Sequence, residues 1–164
     1  HDILGLIKTV DFNGLNAELH LYGGGNQLED IRAYISNHER HVFYHGFLDK
    51  KSMVQELMKY DASIVPLVVS ITGAVPSKIF DLLPVGVPIL FCGGGEGAEI
   101  VRNYKIGLVA DSGDYVALMN NIKTFVGMKE EEYGKLVENC LNASRNDFCF
   151  EKQMEEFVNF IKNL

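Results

Sequence analysis

Ala62-Ser63-Ile64-Val65-Pro66-Leu67 and, after one short helix, Pro88-Ile89-Leu90-Phe91-Cys92 are the stretches on which the fold turns. Both are apolar almost throughout and too short for stable helices. Each runs into residues that interrupt regular structure, Val68 to Lys78 after the first and Gly93-Gly94-Gly95 after the second. A strand that is apolar on both faces is one covered on both faces, as parallel strands between helical layers are.

Outward from these two strands, the chain alternates. Ile3 to Phe12 has apolar residues at helical spacing (Ile3, Leu6, Ile7, Val10), and Glu18 to Tyr22 is a short strand entering Gly23-Gly24-Gly25. Gln27 to Ser36 is an amphipathic helix with Leu28, Ile31, Tyr34 and Ile35 on one face. Val42-Phe43-Tyr44 is a strand ending at His45-Gly46, and Lys51 to Tyr60 a helix with Met53, Val54, Leu57 and Met58 inward. After the strand at 62–67 come a short helix, Ser77 to Leu83, and the strand at 88–92. Ala98 to Tyr104 is a short helix and Gly107 to Ala110 a short strand. Three helices close the chain: Asp114 to Phe125 (Val116, Leu118, Ile122, Phe125), Glu130 to Ala143, and Phe150 to Leu164. The last carries Phe150, Met154, Phe157, Val158, Ile161 and Leu164 on one stripe.

Strand–helix alternation with short connections predicts an α/β fold, a Rossmann-like doubly wound parallel sheet. Ligands of such sheets bind beyond the carboxyl ends of the strands. The loops Gly23–Asn26, His45–Lys50, Val68–Lys78 and Gly93–Gly97 all follow strands and are expected along one edge.

Composition narrows the partners. The formal net charge of -7 argues against nucleic acid, whose phosphates need a basic face, and against anionic lipid as the main contact. No apolar run approaches the ~20 residues of a membrane span. His1-Asp2-Ile3 shows no basic leader region. Cys92, Cys140 and Cys149 are odd in number and have no close pair, which suggests reduced thiols in a cytoplasmic protein. With neither CxxC nor HExxH, no metal site is expected, and the five histidines read as surface or loop residues.

Two glycine-rich turns invite a nicotinamide reading. Gly23-x-Gly25-x-x is followed by Leu28 and fails the dinucleotide fingerprint. Gly93-x-Gly95-x-x-Ala98 fits its looser form, with Asp111 ending the next strand, and keeps that alternative open. Gly73-Ala74-Val75-Pro76-Ser77-Lys78 says more. Pro76 suits a helix start, free N–H groups there form a ready diphosphate site, and Lys78 adds a full charge. Asp81 lies one turn on, where a carboxylate can accept both hydroxyls of a ribose. The plain alternative is a capped surface helix with a solvated Lys78/Asp81 pair.

Val75-Pro76-Ser77-Lys78-Ile79-Phe80-Asp81 followed by Gly86-Val87-Pro88-Ile89-Leu90 resembles the C-terminal, donor-binding domain of the glycosyltransferase group 1 family, of GT-B fold, in its bacterial surface-polysaccharide form. Other blocks match in order: Leu21-Tyr22-Gly23-Gly24-Gly25 with Leu28-Glu29, Gly46-Phe47-Leu48, Asp61 to Pro66, Glu96-Gly97-Ala98-Glu99-Ile100-Val101, and Gly107-Leu108-Val109. The resemblance implies that Gly23, Gly24 and Gly25 line the donor, that Phe47 and Leu48 lie beside its base, and that Gly73, Ala74, Val75, Pro76, Ser77 and Lys78 bind its diphosphate. Asp81 would bind its ribose. The family has two glutamates spaced around the donor loop; Asp81 stands in place of the second and Gly73 in place of the first. Retention at the anomeric carbon is implied by the family alone. No catalytic residue is assigned.

The resulting expectation is one nucleotide-sugar-binding domain over residues 1–164. It would serve an enzyme that moves a sugar from a nucleoside-diphosphate sugar to a glycan or lipid-linked acceptor, without cofactor or metal. The family domain begins with a strand that would precede His1, so the central position of the sheet is expected to be empty and the N-terminal acceptor domain missing. Expected partners are a nucleotide sugar and that N-terminal domain, with no nucleic acid and no transmembrane segment. The expected location is the cytoplasm, with a peripheral position at the inner membrane face open to the full-length protein. The competing readings are half of a nucleotide-sugar epimerase and a non-catalytic, NAD-like nucleotide-binding module.

Overall fold

A computed structural model describes residues 2–38, 41–71 and 73–163. The order is α1 (Ile3–Thr9), β1 (Leu19–Leu21), α2 (Leu28–Asn37), β2 (Val42–Tyr44), α3 (Lys50–Leu57), β3 (Ser63–Pro66) and α4 (Ser77–Leu82). A 3-10 turn (Leu83–Val85) follows, then β4 (Ile89–Cys92), α5 (Gly95–Asn103), β5 (Gly107–Ala110), α6 (Tyr115–Val126), α7 (Glu130–Asn146) and α8 (Phe150–Lys162). Two positions of the sequence reading, His1 and Leu164, lie outside the described residues.

All strand pairing is parallel, as expected. β1 pairs with β2 and, separately, β3 pairs with β4 and β4 with β5. Among the described residues no ladder joins β1 to β3. Main-chain directions show which edges are left over. The Leu19 amide donates to the His41 carbonyl (2.8 Å) and the Leu21 carbonyl accepts from the His45 amide (3.0 Å). On β3, the Ser63 amide donates to the Pro88 carbonyl (2.9 Å) and that of Leu67 to the Cys92 carbonyl (2.6 Å). Residues alternate along a strand, so His20 on β1 and Ile64 on β3 turn their peptide groups toward the space between the two sheets.

Helices cover both faces. Over one, Leu6, Ile7 and Val10 of α1 pack with Ile31, Leu90, Cys92, Tyr115, Leu118 and Ile122. Over the other, Ile79 and Leu82 of α4 pack with Val65, Ile89, Phe91, Val101 and Cys140. Strand β4 feeds both clusters by simple alternation, Leu90 and Cys92 one way, Ile89 and Phe91 the other. All four of its residues are buried, as a strand covered on both faces should be.

Several helix details differ from expectation. Pro84 cannot donate an N–H, and α4 stops at Leu82 and tightens into the 3-10 turn that carries it. Gly86 follows in the left-handed region (φ 68), and a Cβ there would press on Val137 and Leu141 of α7. Val54 and Met58 of α3 were expected inward but are 43% and 68% exposed. The cause is positional: Met53 and Leu57 face a cavity between β1 and β3 rather than a strand, so α3 has little surface to bury against. In α6, Val116 is exposed and Tyr115 takes the inward place. Helix α5 starts at Gly95 rather than Ala98, and α8 leaves Phe150, Met154, Phe157, Val158 and Ile161 exposed.

The three cysteines are unpaired. Burial pushes the Cys140 thiol up to about 12 and raises that of Cys92; Cys149 is partly exposed. An aromatic disulfide reagent at about pH 8 should therefore label Cys149 alone in the folded chain and all three thiols in denaturant, because thiolate and access are both required. Rapid native labelling of Cys92 or Cys140 would contradict this packing.

Candidate functional site at the carboxyl edge

The four loops named from sequence leave the carboxyl ends of their strands, and the gap between β1 and β3 divides them into two groups. In the first, the Gly23 amide donates to the Gly46 carbonyl (2.8 Å), and the Tyr44 hydroxyl donates to the Gly23 carbonyl (2.7 Å). These bonds tie the β1–α2 loop to the β2–α3 loop. Gly23 has φ 108, which only glycine adopts without strain. Gly24 must be small for another reason: a Cβ there would lie 2.8 Å from the Phe47 ring. That ring lies on bare backbone and is 79% exposed, so one aromatic surface is offered outward. Leu48 is half-buried. Asp49 then caps α3, accepting from the amides of Lys51 and Ser52 at 3.0 Å each. Those bonds hold its carboxyl below its usual range, with the Ser52 hydroxyl making the largest contribution.

In the second group, Gly73 (φ 78) donates its amide to Glu96 Oε1 at 3.1 Å. Glu96 sits in the first turn of α5, so the β4–α5 loop braces the β3–α4 loop. Its second oxygen, Oε2, is buried and has no hydrogen-bond partner. Beside it, Ser70 Oγ accepts from the Gly94 amide (2.9 Å) and bonds Ser112 Oγ (2.6 Å). Val75 packs on the core and Ala74 is exposed. Pro76 is the N-cap residue of α4 and makes no side-chain cap. Among the described residues the amides of Ser77 and Lys78 have no acceptor, while the Ile79 amide bonds the Pro76 carbonyl (3.1 Å). Ser77, Lys78 and Asp81 are exposed, and no ion pair links Lys78 to Asp81. Both are therefore available to a ligand.

Sequence reading placed the loops that hold Ser70 and Glu96 on this edge but gave neither residue a role, and it did not single out Ser112. The signal was present, since all three follow strands. Gly93-Gly94-Gly95 drew attention to the glycines instead, and α5 begins early enough to place Glu96 in its first turn. Two histidines read as scattered are in fact neighbours. His20 Nδ1 lies 2.8 Å from His45 Nε2, and His20 Nε2 lies 3.1 Å from Glu18 Oε2. One of the two facing ring nitrogens must accept and the other donate. Next to them the Tyr22 hydroxyl donates to Glu56 Oε1 (2.8 Å) and meets the Tyr60 hydroxyl at 2.6 Å. Desolvation, then these bonds, raise the Tyr22 hydroxyl far above its usual range. Glu56 is held low, first by Lys59 and then by Tyr22. This cluster ties α3 to β1. Among the described residues no group of histidine, cysteine and acidic side chains is arranged to hold a metal ion.

A parallel sheet with its glycine loops, exposed ring and free helix-start amides on one edge is common to several nucleotide-binding families. The family model described as Glycosyl transferases group 1 matches residues 3–127, most of the chain. The chain belongs to that family. No curated protein matches it. Among solved structures it resembles a mutant of S. aureus TarM, crystallised with fondaparinux, α-GlcNAc-glycerol and UDP. The TM-score is 0.77 at 16% sequence identity, over 96% of this chain and 32% of the TarM chain. That likeness gives the fold, the GT-B type seen in glycosyltransferases, and the chain spans about a third of the length of the protein it matches. No helix among the described residues is long and apolar enough to cross a membrane.

Contact between α5 and the start of α4 shapes this edge. A Cβ on Gly97 would lie 2.9 Å from the Phe91 ring and 3.2 Å from Pro76 Cδ. Gly97→Ala should therefore cost about 1–3 kcal/mol, the usual penalty for overpacking, measured as a lower urea midpoint. An unchanged midpoint would mean that α4 and α5 are not packed this closely.

Proposed function

We propose that the chain is the donor-binding part of a glycosyltransferase, holding a nucleoside-diphosphate sugar whose sugar passes to a glycan or lipid-linked acceptor. The observation that carries this is the Gly73–Lys78 turn. It belongs to a chain of the glycosyl transferases group 1 family, its two leading helix amides lack acceptors, a lysine stands beside them, and the braced Glu96 has a buried oxygen still without a donor. Each is a polar group that a phosphorylated, hydroxyl-rich ligand would satisfy.

In this reading the exposed Phe47 ring stacks on the base, with Gly24 keeping the backbone beneath it flat. Asp81 accepts hydrogen bonds from the ribose hydroxyls. Ser77, Lys78 and the helix-start amides face the diphosphate. Transfer breaks the bond between the anomeric carbon and the diphosphate oxygen, and charge develops on that oxygen as it leaves. Fixed N–H groups and the Lys78 ammonium would face it, which is how preorganised donors lower a barrier. Glu96 Oε2 would accept a hydroxyl of the donor. No cofactor is required, the work takes place in the cytoplasm, and the acceptor is bound by a further domain of the same protein. Residues 1–164 then act as one nucleotide-sugar-binding unit.

The NAD-like reading of Gly93-x-Gly95-x-x-Ala98 is weaker for a local reason. The Glu96 carboxylate occupies the first turn of α5, where a pyrophosphate would have to sit, and like charges repel.

Calorimetric titration with UDP, GDP and NAD separates the readings. A nucleoside diphosphate should bind and NAD should not. Asp81→Ala should weaken the diphosphate by about 1–3 kcal/mol, the cost of losing hydrogen bonds to a charged group. Equal affinity of the variant would remove Asp81 from the site, and tight NAD binding would overturn the reading. The chain alone should transfer no sugar, because only one side of the reacting centre is present.

A further inference from the structure

Where the loops after β3, β4 and β5 meet, three chemical demands stand unmet close together. The Gly113 amide donates to the Leu67 carbonyl (2.9 Å), which joins the loop after β5 to the loop after β3. Ser112 and Ser70 meet at that join, oxygen to oxygen at 2.6 Å, and Ser70 Oγ also accepts from the Gly94 amide. One hydroxyl hydrogen is spent between the two serines, and the other has no acceptor among the described residues. Two positions on from Gly94, Glu96 spends Oε1 on the Gly73 amide, and its buried Oε2 has no donor. A carboxylate oxygen accepts and does not donate, so only an N–H or O–H satisfies it. The third demand is apolar. Val69 and Ile71, the chain neighbours of Ser70, are each 67% exposed.

This corner has room. Nothing lies within 4 Å of the place a Cβ would take on Gly73 or on Gly95, the two glycines beside the Glu96 brace. Both have left-handed backbones (φ 78 and 63), and the Ala74 amide closes the turn onto the Ile71 carbonyl (3.1 Å). A turn hinged at such a glycine can shift to admit a group to Oε2. The turn leads through Pro76 into α4, whose first amides have no acceptor. A group that fills the corner is therefore the next neighbour of a diphosphate bound at those amides. In a nucleotide sugar that neighbour is the sugar.

A hydroxyl serves Glu96 Oε2 and leaves Val69 and Ile71 in water. An acylamino group serves all three demands at once. Its N–H donates to Glu96 Oε2, its carbonyl accepts the spare serine hydrogen, and its methyl covers apolar surface. A uronic acid brings a second anion up to Glu96, and a deoxy sugar brings a methyl without the N–H. We propose that this corner reads the sugar, and that the donor is a nucleoside-diphosphate N-acylamino sugar whose amide is held between Glu96 and the Ser70–Ser112 pair. The inference rests on the nucleotide-sugar reading above and gives that reading its sugar class.

Calorimetry on the whole chain tests it with UDP, UDP-glucose, UDP-N-acetylglucosamine and UDP-N-acetylgalactosamine. At least one of the two N-acetyl sugars should bind roughly tenfold or more tighter than UDP-glucose, as a site with an unmet acceptor prefers the ligand that meets it. In Glu96→Gln the side-chain carbonyl stays on the Gly73 amide and an NH2 group stands where Oε2 stood. Donor then meets donor, and the ratio of N-acetyl sugar to UDP-glucose affinity should fall to about one. If that variant does not fold, the comparison on the unaltered chain decides alone. UDP-glucose binding as tightly as both N-acetyl sugars would overturn the inference, and so would a preference that persists in folded Glu96→Gln. UDP binding without any sugar preference removes this inference and leaves the nucleotide-sugar reading in place. Failure of UDP and all three UDP-sugars to bind also overturns it, and if GDP fails as well the nucleotide-sugar reading falls with it.

Discussion

Every peptide group inside a sheet needs a partner to its left and its right, and this requirement governs the molecule. Among the described residues, β4 alone has both sides met, by β3 and β5. It is also the strand whose four residues are all buried and divided evenly between the two core clusters. The carboxyl edge is built outward from it. The Gly93 amide continues the ladder to the Ala110 carbonyl (2.9 Å), Gly94 leans on Ser70, and Glu96 reaches back to Gly73. Each step is short and local, so the donor loop after β3 inherits its position from the strand next door. Across the cavity between the two sheets, β1 and β2 pair, among the described residues, only with each other. Their loops are held by Gly23–Gly46, Tyr44–Gly23 and the Tyr22–Glu56–Tyr60 group.

The fold was legible because its signals were periodic. Continuous apolar runs marked β3 and β4, and apolar residues at helical spacing marked α1 and α2. The failures were of burial rather than of type. Val54 and Met58 sit on the inward side of an ideal amphipathic α3, yet they are exposed because the layer beneath that helix is open. A hydrophobic stripe states which face seeks cover; it does not state whether cover exists. The same is true of α8, whose stripe was read correctly and which nothing among the described residues covers.

The candidate site was legible in a different way. Gly24 and Gly97 are glycines because rings and a proline press on them, and Gly23 and Gly73 because their backbones turn left-handed. Sequence showed glycine at all four and could not distinguish the two causes. Glu96 was visible as part of an edge loop and of a matching block, with no role of its own. Its importance comes from a contact with Gly73 across 23 positions, which no local pattern encodes. The His20–His45 pair was missed for the same reason: two adjacent parallel strands bring together rings 25 residues apart.

Helix α8 has a consequence for how the chain holds together. Its 13 residues are close to the shortest length that stays helical in water without support, and none is buried. Its cooperative link to the rest is Phe148 and the turn before it, where Phe148 meets Phe80 and Tyr104 at ring distances of 5.1 and 5.0 Å. Beyond that turn no described residue is buried, so little couples the helix–coil equilibrium of the segment to that of the α/β body.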